Sequence, residues 1–259
     1  MRSGMILLLC GLIGCVENQR REMADHPALA PVKRETVVTS GPRVSVVGKS
    51  VNGKDIVMTE FGHGDRPVLI MAGIHGNERA TVYVAEQLVL ELRQNLARAA
   101  GVPVAVITVA NPDGYEANTR HNARGVDLNR NFPAKNWKKA TKWRNFGGSA
   151  LSEPESRAIF ETIESLNPRL IISIHSIDDQ RHCNNFDGPG EQVARVMSQH
   201  NHYPTVPTIG YATPGSLGSY AGIDRQIAMV TLELPREASG PKGWEENRDA
   251  LFAALAAVK

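Results

Sequence analysis

Residues 68–80, VLIMAGIHGNERA, decide the fold of this 259-residue chain. A short apolar run predicts a buried strand, and two glycines interrupt that pattern before a helix-like run at 77–96. We expect His75 to end the strand and Glu78 to lie in the first turn of the helix. The i, i+3 spacing then places an imidazole and a carboxylate on the same side. Together they form half of a metal site that suits zinc.

A third metal ligand has to come from a distant part of the chain, because catalytic zinc commonly takes three protein ligands and one water. Residues 170–174 form a second apolar run, and this run ends at His175. We therefore predict one zinc ion per chain, held by His75, Glu78 and His175. The remaining histidines are interpreted as hydrogen-bonded core or loop residues: His26, His63, His121, His182, His200 and His202.

Several short motifs follow one another along the chain in a fixed order. They are H-x-x-E at 75–78, N-P-D-G at 111–114, G-V-D-L-N-R-N-F at 125–132, S-E-P-E at 152–155, S-I-H-S at 173–176 and T-L-E-L at 231–234. Zinc metallocarboxypeptidases contain similar motifs in the same order, and the chain resembles this family over roughly residues 44–258. It is most similar to their compact bacterial subgroup, the murein peptide amidases, which cleave γ-D-glutamyl-diaminopimelate bonds in cell-wall peptides.

Alternating apolar strands and helices predict an α/β sheet with helices on both faces. The resemblance implies a mixed, mostly parallel eight-stranded sheet. In such sheets ligands bind at the carboxyl ends of the strands. The irregular segment 111–149 and the Gly- and Ser-rich segment 211–222 are expected to wall the site. Ser152 and Glu155 predict a capping box that opens a helix to about residue 166.

Glu233 ends the last apolar strand, at 227–234, where an unpaired carboxylate would be costly to bury. Peptide hydrolysis needs a group that takes a proton from water and passes it to the leaving amine. We therefore predict that Glu233 is the general base. The alternative is a salt bridge at the edge of the sheet.

The resemblance implies further roles around the metal. Arg120 matches the arginine that stabilises the oxyanion, with Arg124 as a competing candidate. Asn129 and Arg130 match the pair that binds the terminal carboxylate of the substrate, and a planar guanidinium suits that group.

Two further positions also match the family. Asp127 matches the acid that orients the first zinc histidine, with a turn residue as the alternative. Tyr211 lies 22 residues before Glu233, the interval at which metallocarboxypeptidases place a mobile tyrosine over the substrate.

The N-terminus differs in kind from the rest of the chain. Residues 1–14 carry one arginine and a short apolar stretch, and the L-I-G-C sequence ending at Cys15 resembles a bacterial lipobox. We predict a lipoprotein signal peptide at 1–14, a lipid-anchored tether at 15–42 and a carboxypeptidase domain at 43–259. The enzyme would then be attached to a membrane of the bacterial cell envelope through Cys15. The alternatives are an ordinary cleaved signal peptide or a misassigned start codon.

The amino-acid composition limits which kinds of binding partner are expected. An apolar content of 42% and a charged content of 22% are ordinary for a globular protein. The net charge is only +2 and no Lys/Arg run accompanies it, which argues against nucleic acid. Cys183 has no predicted disulfide partner and is interpreted as a packed or idle thiol. A small peptide is the expected substrate.

The expected substrate is a short cell-wall peptide that ends in a diamino acid. Asp187 and Asp224 are candidate partners for its ammonium group, with surface turn residues as the alternative for each. Two other functions remain open. One is a zinc deacylase of the aspartoacylase or succinylglutamate desuccinylase type, and the other is a non-catalytic lipoprotein that binds the cell wall.

Overall fold

The computed structural model describes residues 41–139 and 145–259. The predicted signal peptide, Cys15 and most of the predicted tether lie outside these residues. Eight strands of the described part form one sheet: β1 (Arg43–Lys49), β2 (Asp55–Phe61), β3 (Val68–Met71), β4 (Val104–Ile107), β5 (Leu170–Ile177), β6 (Cys183–Asp187), β7 (Thr205–Val206) and β8 (Ala228–Pro235).

The sheet has the strand order β1-β2-β4-β3-β5-β8-β6-β7. Its centre, β4-β3-β5-β8, is parallel, and so is the β6–β7 pair at one edge, whereas the pairs β1–β2, β2–β4 and β6–β8 are antiparallel. The prediction of a mixed, mostly parallel eight-stranded sheet is confirmed. At the antiparallel edge, a turn at Asn52-Gly53 joins β1 to β2, and Gly53 has a φ of 81°.

Helices cover both faces of the sheet, as predicted. They are α1 (Arg79–Gln94), α2 (Pro112–Ala117), α3 (Pro154–Leu166), α4 (Glu191–Asn201) and α5 (Gly240–Ala257). One buried cluster joins α1, α4 and α5 to one face of the sheet, and a second joins α3 to the other face. No helix within residues 41–139 and 145–259 is long and apolar enough to cross a membrane.

Strand β3 shows why the opening stretch decides the fold. Val68 and Ile70 belong to the cluster on one face, and Leu69 and Met71 to the cluster on the other. All four side chains are fully buried. Because side chains alternate along a strand, a run that is apolar at every position must be covered on both faces. Each such side chain contributes about 1.5–3 kcal/mol through burial.

Several sequence predictions need correction. Helix α1 begins at Arg79, not at residue 77, because Glu78 is its N-cap. The segment 111–149 contains α2 and a 3-10 turn at Leu128–Arg130, although periodicity predicted no regular element there. Strands β6 and β7 and a π-helical turn at Gly218–Asp224 were also missed.

The predicted capping box at α3 is wrong. Glu153, not Ser152, is the N-cap residue, and its side chain makes no capping bond. Instead, Glu155 is fully buried and accepts hydrogen bonds from the Val51 backbone N–H and from Asn122 Nδ2, at 3.0 and 3.1 Å. Glu153 Oε2 accepts a second bond from Asn122 Nδ2, at 2.8 Å. The S-E-P-E motif therefore ties α3 to the β1–β2 turn and to the segment that carries Arg120.

This cluster yields a stability prediction. Glu155→Gln should lower the free energy of unfolding by about 1–3 kcal/mol, because the amide replaces one acceptor by a donor and leaves a buried partner unpaired. Urea denaturation would measure the change. Glu161→Gln is the matched control, since Glu161 is exposed on the same helix. Equal midpoints for the two variants would contradict the structural role of Glu155.

Candidate active site

Three predicted site residues meet at the carboxyl ends of the central strands. His75 follows β3 in a turn, His175 lies within β5, and Glu233 lies within β8 directly opposite His175 in the strand register. The turn that carries His75 requires a glycine next to it, because a Cβ at Gly76 would collide with the Gly114 backbone of α2. The short sequence around His75 is thus fixed by close packing of backbone on backbone.

His75, Glu78 and His175 converge as predicted. Glu78 Oε1 lies 2.8 Å from His75 Nδ1, and Glu78 Oε2 lies 3.1 Å from His175 Nδ1. The two imidazole Nδ1 atoms are 3.2 Å apart, and all three residues are buried. Within the described part of the chain, no other group of three or more His, Cys, Asp or Glu residues has this arrangement.

The donor set fits a divalent metal. His75 Nε2 lies 3.1 Å from Asp127 Oδ1 and donates to it, which leaves Nδ1 as an unprotonated acceptor in the neutral ring. The Nδ1 atoms of His75 and His175 face each other at 3.2 Å beside the Glu78 carboxylate, so one cation could be ligated by all three groups. Two imidazoles and one carboxylate are ligands that zinc prefers.

The electrostatics favour positive charge at this point. Burial opposes a charged imidazole, yet the nearby Glu78 and Asp127 carboxylates raise the pKa of His75 to about 9. Burial also opposes a charged Glu78, but His75 and His175 hold the pKa of this carboxyl well below its usual range. For His175, burial dominates and lowers the pKa.

Glu233 faces the cleft that is lined by the His75–Glu78–His175 cluster. Its side chain is buried, and no described residue forms a hydrogen bond or ion pair with its carboxylate. Burial, followed by the charge of Glu78, raises the pKa of Glu233 to about 8. The arrangement gives no support to an edge salt bridge. A buried carboxylate without a protein partner is suited to exchanging protons with water or substrate.

The two candidate arginines lie in different places. Arg120 lines the cleft, with Nη1 3.5 Å from Glu78 Oε1 and Nη2 3.2 Å from Asp127 Oδ2. Arg124 points to Glu153 at 3.6 Å and does not line the cleft. Geometry therefore favours Arg120 as the group that can reach a reacting carbonyl.

Asn129 and Arg130 also line the cleft, and they connect it to the segment 211–222. Asn129 Oδ1 accepts the Leu217 backbone N–H at 2.9 Å, and Arg130 Nη1 donates to the Asn129 carbonyl at 2.5 Å. Tyr211 lies at the mouth of the cleft and is 44% exposed, which leaves its ring room to move.

The structure separates the two candidate aspartates. Asp187 lines the cleft, and burial raises its pKa. A Cβ at Gly218 would collide with the Asp187 carboxylate, so this glycine makes room for it. Asp224 lies outside the cleft lining and accepts the Lys135 backbone N–H at 2.6 Å. Asp187 is therefore the better partner for a substrate ammonium group, and Asp224 is a structural turn residue.

Some cleft residues were not predicted from the sequence, namely Ser176, Asn185, Thr231 and Arg236. The first three occupy strand positions close to the predicted His175 and Glu233. Arg236 could have been found from the sequence, since it is the first residue after β8, the strand that carries Glu233.

A mixed α/β sheet that gathers a His–Glu–His cluster and a free buried carboxylate at its strand ends defines a metallohydrolase. The family model described as zinc carboxypeptidase matches residues 37–239. The chain belongs to the zinc carboxypeptidase family and is a peptide hydrolase.

Three relatives narrow the resemblance. Murein peptide amidase A of Escherichia coli K12 is 34% identical over 230 residues, covering 82% of this chain and 88% of the relative. The protein of the same name from Vibrio campbellii is 32% identical over 72% of this chain and 76% of its own length. The crystal structure of murein-tripeptide amidase from Escherichia coli O157 superposes with a TM-score of 0.66 and 28% identity, covering 83% of this chain and 92% of that one.

Proposed function

We propose that this protein is a zinc-dependent carboxypeptidase of short cell-wall peptides, and that it cleaves the bond between the γ-carboxyl of D-Glu and diaminopimelate. The observation that carries the proposal is that Arg130 and Asp187 line the same cleft as the predicted metal ligands. A terminal diamino acid offers both a carboxylate and an ammonium group, and these two side chains match them in charge. The names of the similar amidases support the same substrate class.

His75, Glu78 and His175 would hold the zinc ion. When bound, zinc supplies Lewis acidity that lowers the pKa of water and polarises a carbonyl. The reaction adds a water oxygen to the scissile carbonyl carbon and breaks the bond to nitrogen. Glu233 accepts the proton of the water and transfers it to the leaving amine.

Other residues would stabilise and position the substrate. Arg120 donates hydrogen bonds to the carbonyl oxygen as it gains negative charge. Asn129 and Arg130 bind the terminal carboxylate, which restricts cleavage to the end of a peptide. Asp127 holds the His75 ring in one orientation. Tyr211 covers the bound peptide from the mouth of the cleft.

The substrate proposal predicts an order of reactivity. L-Ala-γ-D-Glu-diaminopimelate should be hydrolysed with a higher kcat/KM than hippuryl-Phe or N-acetyl-aspartate, because only the first places an ammonium group near Asp187. The assay compares the three compounds at equal zinc and enzyme concentrations. Faster turnover of hippuryl-Phe would favour a digestive type of specificity, and faster turnover of N-acetyl-aspartate would favour a deacylase.

We also propose attachment to a membrane of the cell envelope through a lipid on Cys15, since residues 1–15 resemble a lipoprotein signal. Burial of acyl chains in the bilayer would hold the protein there. Cys15→Ser should release the protein from the membrane fraction or block its processing, as judged by fractionation and intact mass. Cys183→Ser is the matched control, because Cys183 is buried in the folded domain. Unchanged retention and processing of the Cys15 variant would refute the anchor.

A further inference from the structure

Arg236 is a cation in the cleft, and no side-chain partner for it is found within residues 41–139 and 145–259. It directly follows β8, and its backbone N–H donates to the Ile177 carbonyl at 2.8 Å, which fixes this residue to the end of β5. Its side chain lines the cleft together with Glu233 and Arg120. Across the ranges that the structure describes, its guanidinium has no hydrogen bond or ion pair.

The other two arginines of the cleft differ from Arg236. Arg120 is held by Asp127 and Glu78, and Arg130 donates to the Asn129 carbonyl. The proposed mechanism uses these two for the oxyanion and for the terminal carboxylate. A third arginine, which no group in the described part of the chain neutralises, suits a third negative group on the substrate, because guanidinium binds carboxylates with two parallel hydrogen bonds.

The strand register shows which end of the substrate Arg236 would meet. Asp187 on β6 pairs with Met229 on β8, four residues before Glu233, and Arg236 comes three residues after Glu233. At about 3.3 Å per residue, Asp187 and Arg236 therefore lie on opposite sides of the general base along the strand. If the ammonium group of the leaving residue lies near Asp187, the residue that contributes the scissile carbonyl lies on the side of Arg236.

We propose that Arg236 binds a carboxylate on the residue that contributes the scissile carbonyl, and that it thereby selects γ-linked glutamyl bonds. This inference rests on the proposed function. In a γ-D-glutamyl bond, the α-carboxylate of the glutamate stays free and is separated from the scissile carbonyl by a short chain. An ordinary α-linked peptide of neutral residues has no charged group in this place. Arg236 would distinguish the two linkages by charge.

The test compares two peptides that differ only in this carboxylate. One is L-Ala-γ-D-Glu-diaminopimelate, and the other has the glutamyl α-carboxylate converted to a carboxamide of nearly the same shape. The wild-type enzyme should prefer the acid by about tenfold or more in kcat/KM, as expected for a charge-assisted hydrogen bond. Arg236→Gln should lose that factor on the acid and should be unchanged on the amide.

Two further variants sharpen the comparison. Arg236→Lys should retain part of the preference, because it keeps the charge but not the paired donors. Arg195→Gln is the control for loss of an arginine, since Arg195 pairs with Glu191 on the exposed surface of α4. It should behave as the wild type on both peptides. Because Arg236 is exposed, unfolding midpoints and zinc content should be equal in all variants.

The possible results separate this inference from the proposal beneath it. Equal losses on both peptides, or a preference for the acid that survives in Arg236→Gln, would overturn the role of Arg236 and leave the proposed function standing. The same holds if the wild-type enzyme cleaves both peptides with equal kcat/KM. If the wild-type enzyme with zinc cleaves neither peptide, the proposed function fails and the role of Arg236 fails with it.

Discussion

Glu233→Gln should reduce kcat/KM for peptide hydrolysis by about 10²–10⁴-fold while the metal stays bound, because an amide cannot accept the proton of the attacking water. The substitution preserves the shape of the side chain and replaces a buried carboxyl group, whose ionisation burial opposes and which has no partner among the described residues, by a neutral amide. The folded state should therefore be at least as stable as that of the wild type. Steady-state kinetics, metal analysis and urea denaturation measure the three quantities.

Glu237→Gln is the matched control for this experiment. Glu237 is an exposed carboxylate four residues further along the chain and does not line the cleft. Its replacement should leave kcat/KM close to the wild-type value. Near-normal activity of Glu233→Gln would move the general base elsewhere, and loss of activity in Glu237→Gln would identify Glu237 as the group to examine.

The metal ligands could be predicted, and for His75 and Glu78 the reason is that their geometry follows from their spacing in the sequence. The i, i+3 spacing of His75 and Glu78 survives even though Glu78 proved to be the N-cap of α1 and not part of its first turn. The cap position explains the convergence: the Glu78 side chain makes no capping bond and turns to both histidines. His175 followed from the rule that parallel strands end at one edge of the sheet.

Polar strands escaped prediction because their buried side chains are satisfied by partners distant in the sequence. In β6, Asn184 and Asn201 exchange hydrogen bonds at 3.0 and 3.1 Å, and Asn185 Nδ2 donates to the Val206 carbonyl at 3.0 Å. A run of asparagines indicates a loop when only composition is considered. In contrast, Cys183 at the start of β6 is buried, in agreement with the interpretation of a packed thiol, and burial and the charge of Glu233 raise its pKa to about 12.

The capping box failed for a similar reason. The spacing of Ser152 and Glu155 satisfies a local rule. However, Glu155 bonds to Val51 and Asn122, residues that lie 104 and 33 positions away. A buried carboxylate takes the partners that the tertiary structure supplies, and no local pattern contains them. The same cluster of Glu153, Glu155 and Asn122 holds the segment between Arg120 and Asp127. It therefore positions the site and takes no part in the reaction.

His175→Ala should abolish stable metal binding and, with it, peptide hydrolysis. The variant removes one of the two imidazoles from the cluster, and with it the contact of His175 Nδ1 with Glu78 Oε2. Even partners that only orient a ligand commonly change metal affinity by about 10–100-fold, so loss of a ligand should cost at least the upper end of that range. Zinc content after dialysis, and competition with a chelator of known affinity, measure the effect.

Two companion experiments keep this last prediction decisive. His200→Ala should retain zinc, since His200 is exposed near the end of α4 and is not one of the residues that line the cleft. Asp127→Asn should weaken zinc binding by about 10–100-fold, because it weakens the contact that orients His75 and leaves all three ligands in place. Chelation of the wild-type enzyme should stop turnover, and added zinc should restore it. Full zinc retention by His175→Ala would show that the third ligand is another residue, even if the first two ligands are correct.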